Sequence, residues 1–381
     1  MDFELTAEQA AVRDRVRAFA VSELAPHYQE ADRAGTPRRD LHRVLAQHGL
    51  TGLRIPRAYG GAGSDCVTTG AAMAEVARAD VNAGYVVVNC SLIGDVVVAN
   101  GDDAQRGRWL PAIAAGDALP ALCLTEREHG SDAARIEATA RRDGARWRIS
   151  GLKTSIALGA HATHAVVFAR TGGEGAGGVT AFYVALDDAH VERRVLSDLG
   201  NRSIGRAELS FDGLPADDGD VLGGEGLGFK QVMRGFDYSR ALIALMAVSV
   251  AQAAVDDALD RLRERRAFGQ PLGRFQGASF PLVEHATYLR AARHLCFEAL
   301  WRKDRGLDHT VHANMAKWWG PRAAVDAIHQ ALLTFGHFGY SDELPHGQRL
   351  RDVIGLEIAD GTAQIAKLVV ARALLGRDHA P

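Results

Sequence analysis

The sequence is poor in cysteine, in lysine and in net charge. Its four cysteines, Cys66, Cys90, Cys123 and Cys296, stand far apart in 381 residues. No two form a C-x-x-C pair, which excludes a zinc ribbon and a thioredoxin-like redox pair. So sparse a set suits a reducing compartment, and a cytoplasmic location is expected. Lysine occurs only at Lys153, Lys230, Lys303, Lys317 and Lys367, so nearly all positive charge is arginine. With 44 basic against 47 acidic residues the formal charge is −3, and nothing attracts a polyanion. Nucleic-acid binding is therefore not expected. Long apolar runs are also missing. The longest, 241–255, is broken by Ser249 and Gln252; it reads as a buried helix too short to span a membrane. The start, Met1-Asp2-Phe3-Glu4, has no basic or apolar leader, so no signal peptide is expected. His309 and His312 lie three apart without an H-E-x-x-H pattern, so no metal site is expected.

What is present is apolar residue enough for substantial cores, 47% of the chain. At roughly 100–200 residues per domain, two or three domains are expected. The first third reads as helices. Thr6 and Gln9 fit a capping box, and Val12, Val16, Phe19 and Leu24 follow at helical spacing. Leu41, Val44, Leu45 and Leu50 give a second helix, 52–65 a loop, and 71–79 and 82–100 further helices, with Gly101 as a stop. The period changes near Pro120. Trp147 and Ile149 belong to an alternating stretch, Asp143-Gly144 signals a hairpin turn, and strands are expected at 165–169, 179–185, 191–196 and 207–211. From Gly228 the pattern is helical again, over 229–266, 275–304, 309–335 and 349–375. The fold class expected is α+β and multi-domain: an N-terminal helical domain over 1–119, a central β-barrel or sandwich over 120–228, and a C-terminal four-helix bundle over 229–381.

Several phosphate- and hydrolase-like signals fail. GGEGLG at 223–228 lacks the G-K-[ST] of a P-loop and reads as a loop; no G-x-S-x-G elbow is present. The stretch LCLTEREHGSD at 122–132 is more telling in company than alone. It is followed by Gly151-Leu152-Lys153, by LGNRSIGRAELSFDGL at 199–214, VLGGEGLGF at 221–229 and FDYSR at 236–240. RRAFGQPL at 265–272, Phe275-Gln276, FGHFGY at 335–340, Arg351-Asp352 and DGTAQI at 360–365 complete the set. In this order, over essentially the whole chain, the set resembles the acyl-CoA dehydrogenase family.

The resemblance implies that fold, an FAD cofactor, an acyl-CoA substrate, an electron-transfer flavoprotein as acceptor and a homotetramer. It assigns the flavin ring to Leu124, Thr125, Ser155 and Ile156. Gly130 and Ser131 fall beside the pyrophosphate or the pantetheine arm. Arg265 reaches across an interface to the partner's FAD phosphates, Phe268 packs on that cofactor, and Gln276 binds its adenosine end. Gly336 and Gly339 let backbone approach FAD, and Thr362 and Gln364 touch it at the start of the last helix, where a phosphate-bearing arm is favoured. Ser131, Arg240 and Gly361 are implied on the substrate side.

The same resemblance implies the chemistry. Two hydrogens leave Cα and Cβ of an acyl thioester, the α-proton to a carboxylate and the β-hydrogen as hydride to flavin N5. The family's base is a Glu immediately before Gly-Thr; here that position is Asp360. Aspartate is one methylene shorter, about 1 Å of reach, and a misplacement of that size can cost ~100-fold. Some members carry the base just before the arginine of FDYSR, but Ser239 there is no carboxylate. Asp360 is therefore expected to be the base. A following helix start lowers its pKa and burial raises it, and the sequence leaves the balance open. Further departures are Ser155 where an aromatic is common, Ala157 where Thr or Ser is common, and Arg127 and His129 for a Pro and a small residue. Asp360 with the KTSI stretch is similar to the branch acting on cyclohexane-carboxyl-CoA-like thioesters, so an alicyclic or branched acyl group is expected. The alternatives are an acyl-carrier-protein dehydrogenase, an oxidase or another flavoenzyme on the same fold, and a flavin-binding protein without activity. A retained carboxylate at 360 speaks against a monooxygenase and against inactivity.

Overall fold

The computed structural model describes residues 3–38, 40–186 and 189–381; Met1 and Asp2 of the start lie outside them. The N-terminal part is helical: α1 (Ala7–Phe19), α2 (Tyr28–Ala34), α3 (Leu41–Gln47), α4 (Cys66–Ala79), α5 (Val81–Asn100) and α6 (Asp103–Ala115). The capping box before α1 forms as its sequence requires, Thr6 accepting from Gln9 N–H and Gln9 returning the bond. Two helices had not been expected, α2 and α6. The second opens on its own capping box, Asp102 with Gln105, and carries Pro111 inside.

The middle part is a seven-stranded sheet of β1 (Pro120–Cys123), β2 (Thr139–Asp143), β3 (Arg146–Ile156), β4 (His164–Arg170), β5 (Val179–Ala185), β6 (Val191–Val195) and β7 (Ala207–Ala216). β1 and β2 run parallel to one edge of β4, and β5 is antiparallel on the other. β3 pairs β2 on one side and β7 on the other, and β6 closes the row. The β2–β3 turn falls on Gly144-Ala145, one residue beyond the expected Asp143-Gly144: Asp143 still pairs Arg146, and Gly144 takes the left-handed φ of +62°. The β3–β7 register slips between Lys153 and Ile156. That bulge re-aims Ser155, whose own φ is +60°.

The C-terminal part holds α7 (Gly228–Glu264), a small β8–β9 hairpin (Arg266–Ala267, Gln270–Pro271), α8 (Gln276–Asp304), α9 (Thr310–Thr334), α10 (His346–Leu356) and α11 (Ala363–Leu375). The continuous helix expected over 349–375 is a correction. It breaks at 357–362, because Asp360 and Gly361 both take left-handed backbone, with φ of +54° and +102°. Thr362 then caps α11 by accepting from Ile365 N–H. α5 and α7 are both long and apolar enough to cross a membrane, and most of each apolar stretch is buried inside the fold. One continuous core joins α4, α5, α7, α8 and α9; a second fills the sheet around Trp147, Phe182 and Phe211.

Candidate active site

The α10–α11 break places Asp360 against the middle of α7 and α9. Ser239, fully buried on α7, donates a short hydrogen bond to Asp360 Oδ2. The next residue, Arg240, donates through Nε to the Asp360 carbonyl at 3.1 Å. Its Nη1 is held by Asp237 at 3.1 Å, and Thr310 donates to the other Asp237 oxygen at 2.9 Å. From α9, buried Lys317 donates to the carbonyls of Gly361 at 3.0 Å and Glu357 at 3.4 Å. Two cations thus satisfy the carbonyls that the broken helix leaves unpaired. Burial pushes the Asp360 carboxyl above its ordinary range, and the Ser239 bond and the Lys317 and Arg240 charges only partly offset it. Burial is the larger of the two opposed effects. Lys317 in turn is lowered to about 8 by its burial, against the pull of Asp360.

Asp360 and Gly361 therefore meet Arg240, as expected, but the guanidinium is spent on the Asp360 carbonyl and on Asp237. Arg240 is a positioning residue here. Ser239, set aside in the sequence for lacking a carboxylate, is the direct partner of the Asp360 carboxylate. Lys317 gave no sequence signal beyond the rarity of lysine.

A second cluster forms where β1 ends. Lys153, in mid-strand and fully buried, donates to the Leu124 carbonyl at 3.0 Å and to Glu126 Oε1 at 2.8 Å. Glu126 also accepts from the N–H groups of Glu137 at 2.6 Å and Ala138 at 2.9 Å. Burial acts to raise Glu126, but Lys153 and these N–H groups outweigh it and hold the carboxylate ionised. Thr125 is pinned between them, its carbonyl accepting from Thr154 N–H at 2.9 Å. Beside it Glu208 accepts from Arg127, Arg194 and Thr154, and the two arginines lower it to about 2. The departure at Arg127 is thus matched by a carboxylate. Ser155 Oγ accepts from Arg206 at 2.8 Å, and Arg206 is paired with Asp198.

The third group lies away from Asp360. Arg265 ends α7, 37 residues long, and stands roughly 37 Å along the helix axis from Arg240. Phe268 is 94% exposed with a left-handed φ of +51°, and Arg265 and Gln276 are exposed. The turn of Gly336 and Gly339 packs near this end of α7, where Arg261 stacks over Phe335 and Phe338. Gly339 has an internal reason to be glycine: a Cβ would lie 2.0 Å from the Leu332 carbonyl. Gly130 and Ser131 lie in an exposed loop, and Thr362 and Gln364 begin α11. Among the described residues no cluster of three or more His, Cys, Asp or Glu could hold a metal. A cavity between the N-terminal helices and the sheet, against His42, Asn82, Val86, Leu158 and His161, is lined by none of the groups around Asp360.

The comparisons with known proteins fit this layout. Models of the acyl-CoA dehydrogenase N-terminal, middle and C-terminal domains match residues 6–117, 121–214 and 226–375. An acyl-CoA dehydrogenase of Bacillus subtilis is 34% identical over 379 residues, 98% of this chain and 99% of that protein. The chain belongs to the acyl-CoA dehydrogenase family. Among solved structures, butyryl-CoA dehydrogenase from Megasphaera elsdenii superposes with a TM-score of 0.95 at 31% identity, covering 98% of this chain and 100% of that one. A chain from work on the electron-transferring flavoprotein of Acidaminococcus fermentans superposes with a TM-score of 0.96 at 31% identity, over 98% and 100%.

Acyl-CoA dehydrogenases are FAD-dependent oxidoreductases, and this chain's donor set fits that cofactor. The hydroxyls of Thr125 and Ser131 are engaged by no described protein group. A Cβ at Gly130 would meet nothing within 4 Å, which leaves open space beside them. The N–H of Asp360 is likewise bonded to no described backbone group.

Proposed function

We propose that the chain dehydrogenates an acyl-CoA thioester between Cα and Cβ, with Asp360 as the base that takes the α-proton. The observation that carries this reading is the state of the Asp360 carboxylate. Oδ2 is anchored by Ser239, while Oδ1 is bonded to none of the described residues and is the oxygen that receives the proton. Its raised pKa strengthens the base, because efficiency follows basicity as long as the group stays ionised at the working pH. The free N–H of Asp360 is available to the thioester oxygen, where negative charge develops as the α-proton leaves. Arg240 and Lys317 hold the turn's carbonyls, so the N–H and the carboxylate are presented together.

FAD, when bound, supplies the two-electron acceptor for the hydride that leaves Cβ. Leu124, Thr125, Gly130, Ser131, Ser155 and Ile156 would hold it from the sheet, and Thr362 and Gln364 from α11. Arg265, Phe268, Gln276, Gly336 and Gly339 belong to the far end of α7, and we assign them to the cofactor of a second copy. The β8–β9 hairpin loop turns the Phe268 ring outward at 94% exposure, and so large an apolar side chain at a loop tip is suited to burial against a partner. This supports a homo-oligomer, a tetramer in the family's pattern. The likeness to the chain from the electron-transferring flavoprotein study supports such a protein as acceptor. The three-part division at 119 and 228 is supported by the start of the sheet at Pro120 and of α7 at Gly228.

The shorter base and the small Ser155 support a bulky acyl group, branched or alicyclic at Cα. Anaerobic flavin bleaching by cyclohexanecarboxyl-CoA, isobutyryl-CoA and octanoyl-CoA tests this, with the ring and the branched acyl group expected to lead. Preference for octanoyl-CoA overturns the bulky-acyl reading. Bleaching that persists in Asp360→Asn, with FAD still bound, overturns Asp360 as base.

A further inference from the structure

The helix α5 is apolar almost throughout, and from Val81 to Gly94 every residue is buried except the half-buried Asn89. Its amide nitrogen is nevertheless buried and has no hydrogen-bond partner. Tyr85, one turn earlier, is buried to 7% exposure, and its hydroxyl is bonded to no described protein group. Buried polar groups are almost always paired, so the unpaired Asn89 nitrogen, with the unengaged Tyr85 hydroxyl one turn away, asks for a ligand.

Their direction follows from helix geometry. Tyr85, Asn89, Leu92 and Val96 recur at four- and three-residue steps and share one stripe. Leu92 and Val96 lie 3.0 and 2.9 Å from a Cβ built at Gly235 of α7, and Met246 of α7 lies 3.5 Å from one built at Gly84. The two helices therefore run antiparallel. Interpolation between these contacts puts Asn89 level with Ser239 and Arg240, the residues that hold Asp360. Tyr85 lies on the same side. Its hydroxyl is raised by burial first and then by the Asp360 charge, with Asp352, Arg206 and Asp198 also acting on it.

We propose that the acyl group carries a hydrogen-bond acceptor, such as an ether, hydroxyl or carbonyl oxygen, beyond Cβ, and that Asn89 and Tyr85 receive it. This rests on the thioester reading above and narrows it: the acyl site selects a polar bulky group over a hydrocarbon of equal shape. Asn89 donates through the amide nitrogen that is otherwise unpaired. Tyr85 donates or accepts as the substituent requires.

The test compares two rings of nearly equal size, cyclohexanecarboxyl-CoA and tetrahydropyran-4-carboxyl-CoA. Binding is read by calorimetry on the FAD-loaded Asp360→Asn protein, where turnover is blocked. The oxygen-bearing ring should bind about five- to tenfold tighter, the net worth of one good hydrogen bond. Asn89→Leu, which removes an unpaired buried group and should fold, should erase that preference while leaving cyclohexanecarboxyl-CoA binding intact. Tyr85→Phe, one atom smaller, should reduce it. Equal binding of the two rings, or a preference that survives both substitutions, overturns this proposal and leaves the dehydrogenase reading standing. Failure to bind either ring thioester, with octanoyl-CoA still bound, overturns the bulky-acyl reading and this proposal together.

Discussion

At the α10–α11 turn the carbonyls of Glu357, Asp360 and Gly361 all accept from two buried cations, Lys317 and Arg240, and the carboxylate is held by Ser239. At the α7–α8 corner Arg265, Phe268 and Gln276 stand exposed, with one edge contact between Phe268 and Phe275 at 6.0 Å. Both stretches contain left-handed residues that are not glycine, Asp360 and Phe268. In the first, the surrounding chain over-determines the conformation. In the second, the β8–β9 hairpin sets the backbone, with Phe268 and Gly269 as its two left-handed loop residues, but leaves the Phe268 side chain uncovered. The contrast separates a turn braced throughout by its own chain from a corner whose outward side chains its own chain leaves uncovered.

The sharpest break of this contrast would come from the chemistry. Asp360→Asn should slow flavin reduction by a thioester about 100- to 10,000-fold, the usual worth of a positioned general base, without loss of FAD absorbance. Arg265→Ala should do the reverse: lower FAD retention in gel filtration, with reduction of the FAD-saturated protein within a few-fold of the parent. Stability comes next. Lys317→Met leaves the Gly361 carbonyl without its donor and should cost about 1–3 kcal/mol in denaturant unfolding. Arg265→Ala should stay within ±0.5 kcal/mol of the parent, and an equal loss in both would erase the contrast.

The pH profile sharpens it further. The Ser239 bond favours the charged form of Asp360, so its removal raises an already raised pKa. In Ser239→Ala the acid limb of flavin reduction should therefore move to higher pH, since the base must be deprotonated to act. A limb that stays put would mean that Ser239 does not hold the reacting carboxylate. The smallest effect is expected at Phe268. Phe268→Gly relieves left-handed backbone and should stabilise the isolated subunit by at most about 1 kcal/mol, while weakening assembly seen by sedimentation.

Much of the scaffold was legible because it depends on local chemistry. The Thr6–Gln9 box, the long apolar α5 and the positions of α7, α8 and α9 follow from caps and periodicity. α6 escaped although Asp102 and Gln105 form the same kind of box, because Pro111 and weak amphipathicity masked the run behind it. The α10–α11 break escaped because the apolar stripe continues in phase across it. Only the Asp360-Gly361 pair, a left-handed signal in its own right, marks the interruption. The order of motifs singled out Asp360 and Thr125 as candidates. It could not show what braces them. Lys153 and Glu126 meet across 27 positions, and Lys317 meets Gly361 across 44. Such pairs depend on how strands and helices come together, and no short window of sequence contains both members.

The uninterrupted length of α7 has a further consequence. It carries Ser239 and Arg240 near its middle and delivers Arg265 at its end, so one rod sets both the rotation and the separation of two distant tasks. Inserting a single residue between them would turn one end about 100° against the other and lengthen the span by about 1.5 Å. Loops such as 171–178 can absorb added residues at little cost. The rod cannot, and it therefore serves as the molecule's gauge, fixing how far Arg265 stands from the Asp360 turn.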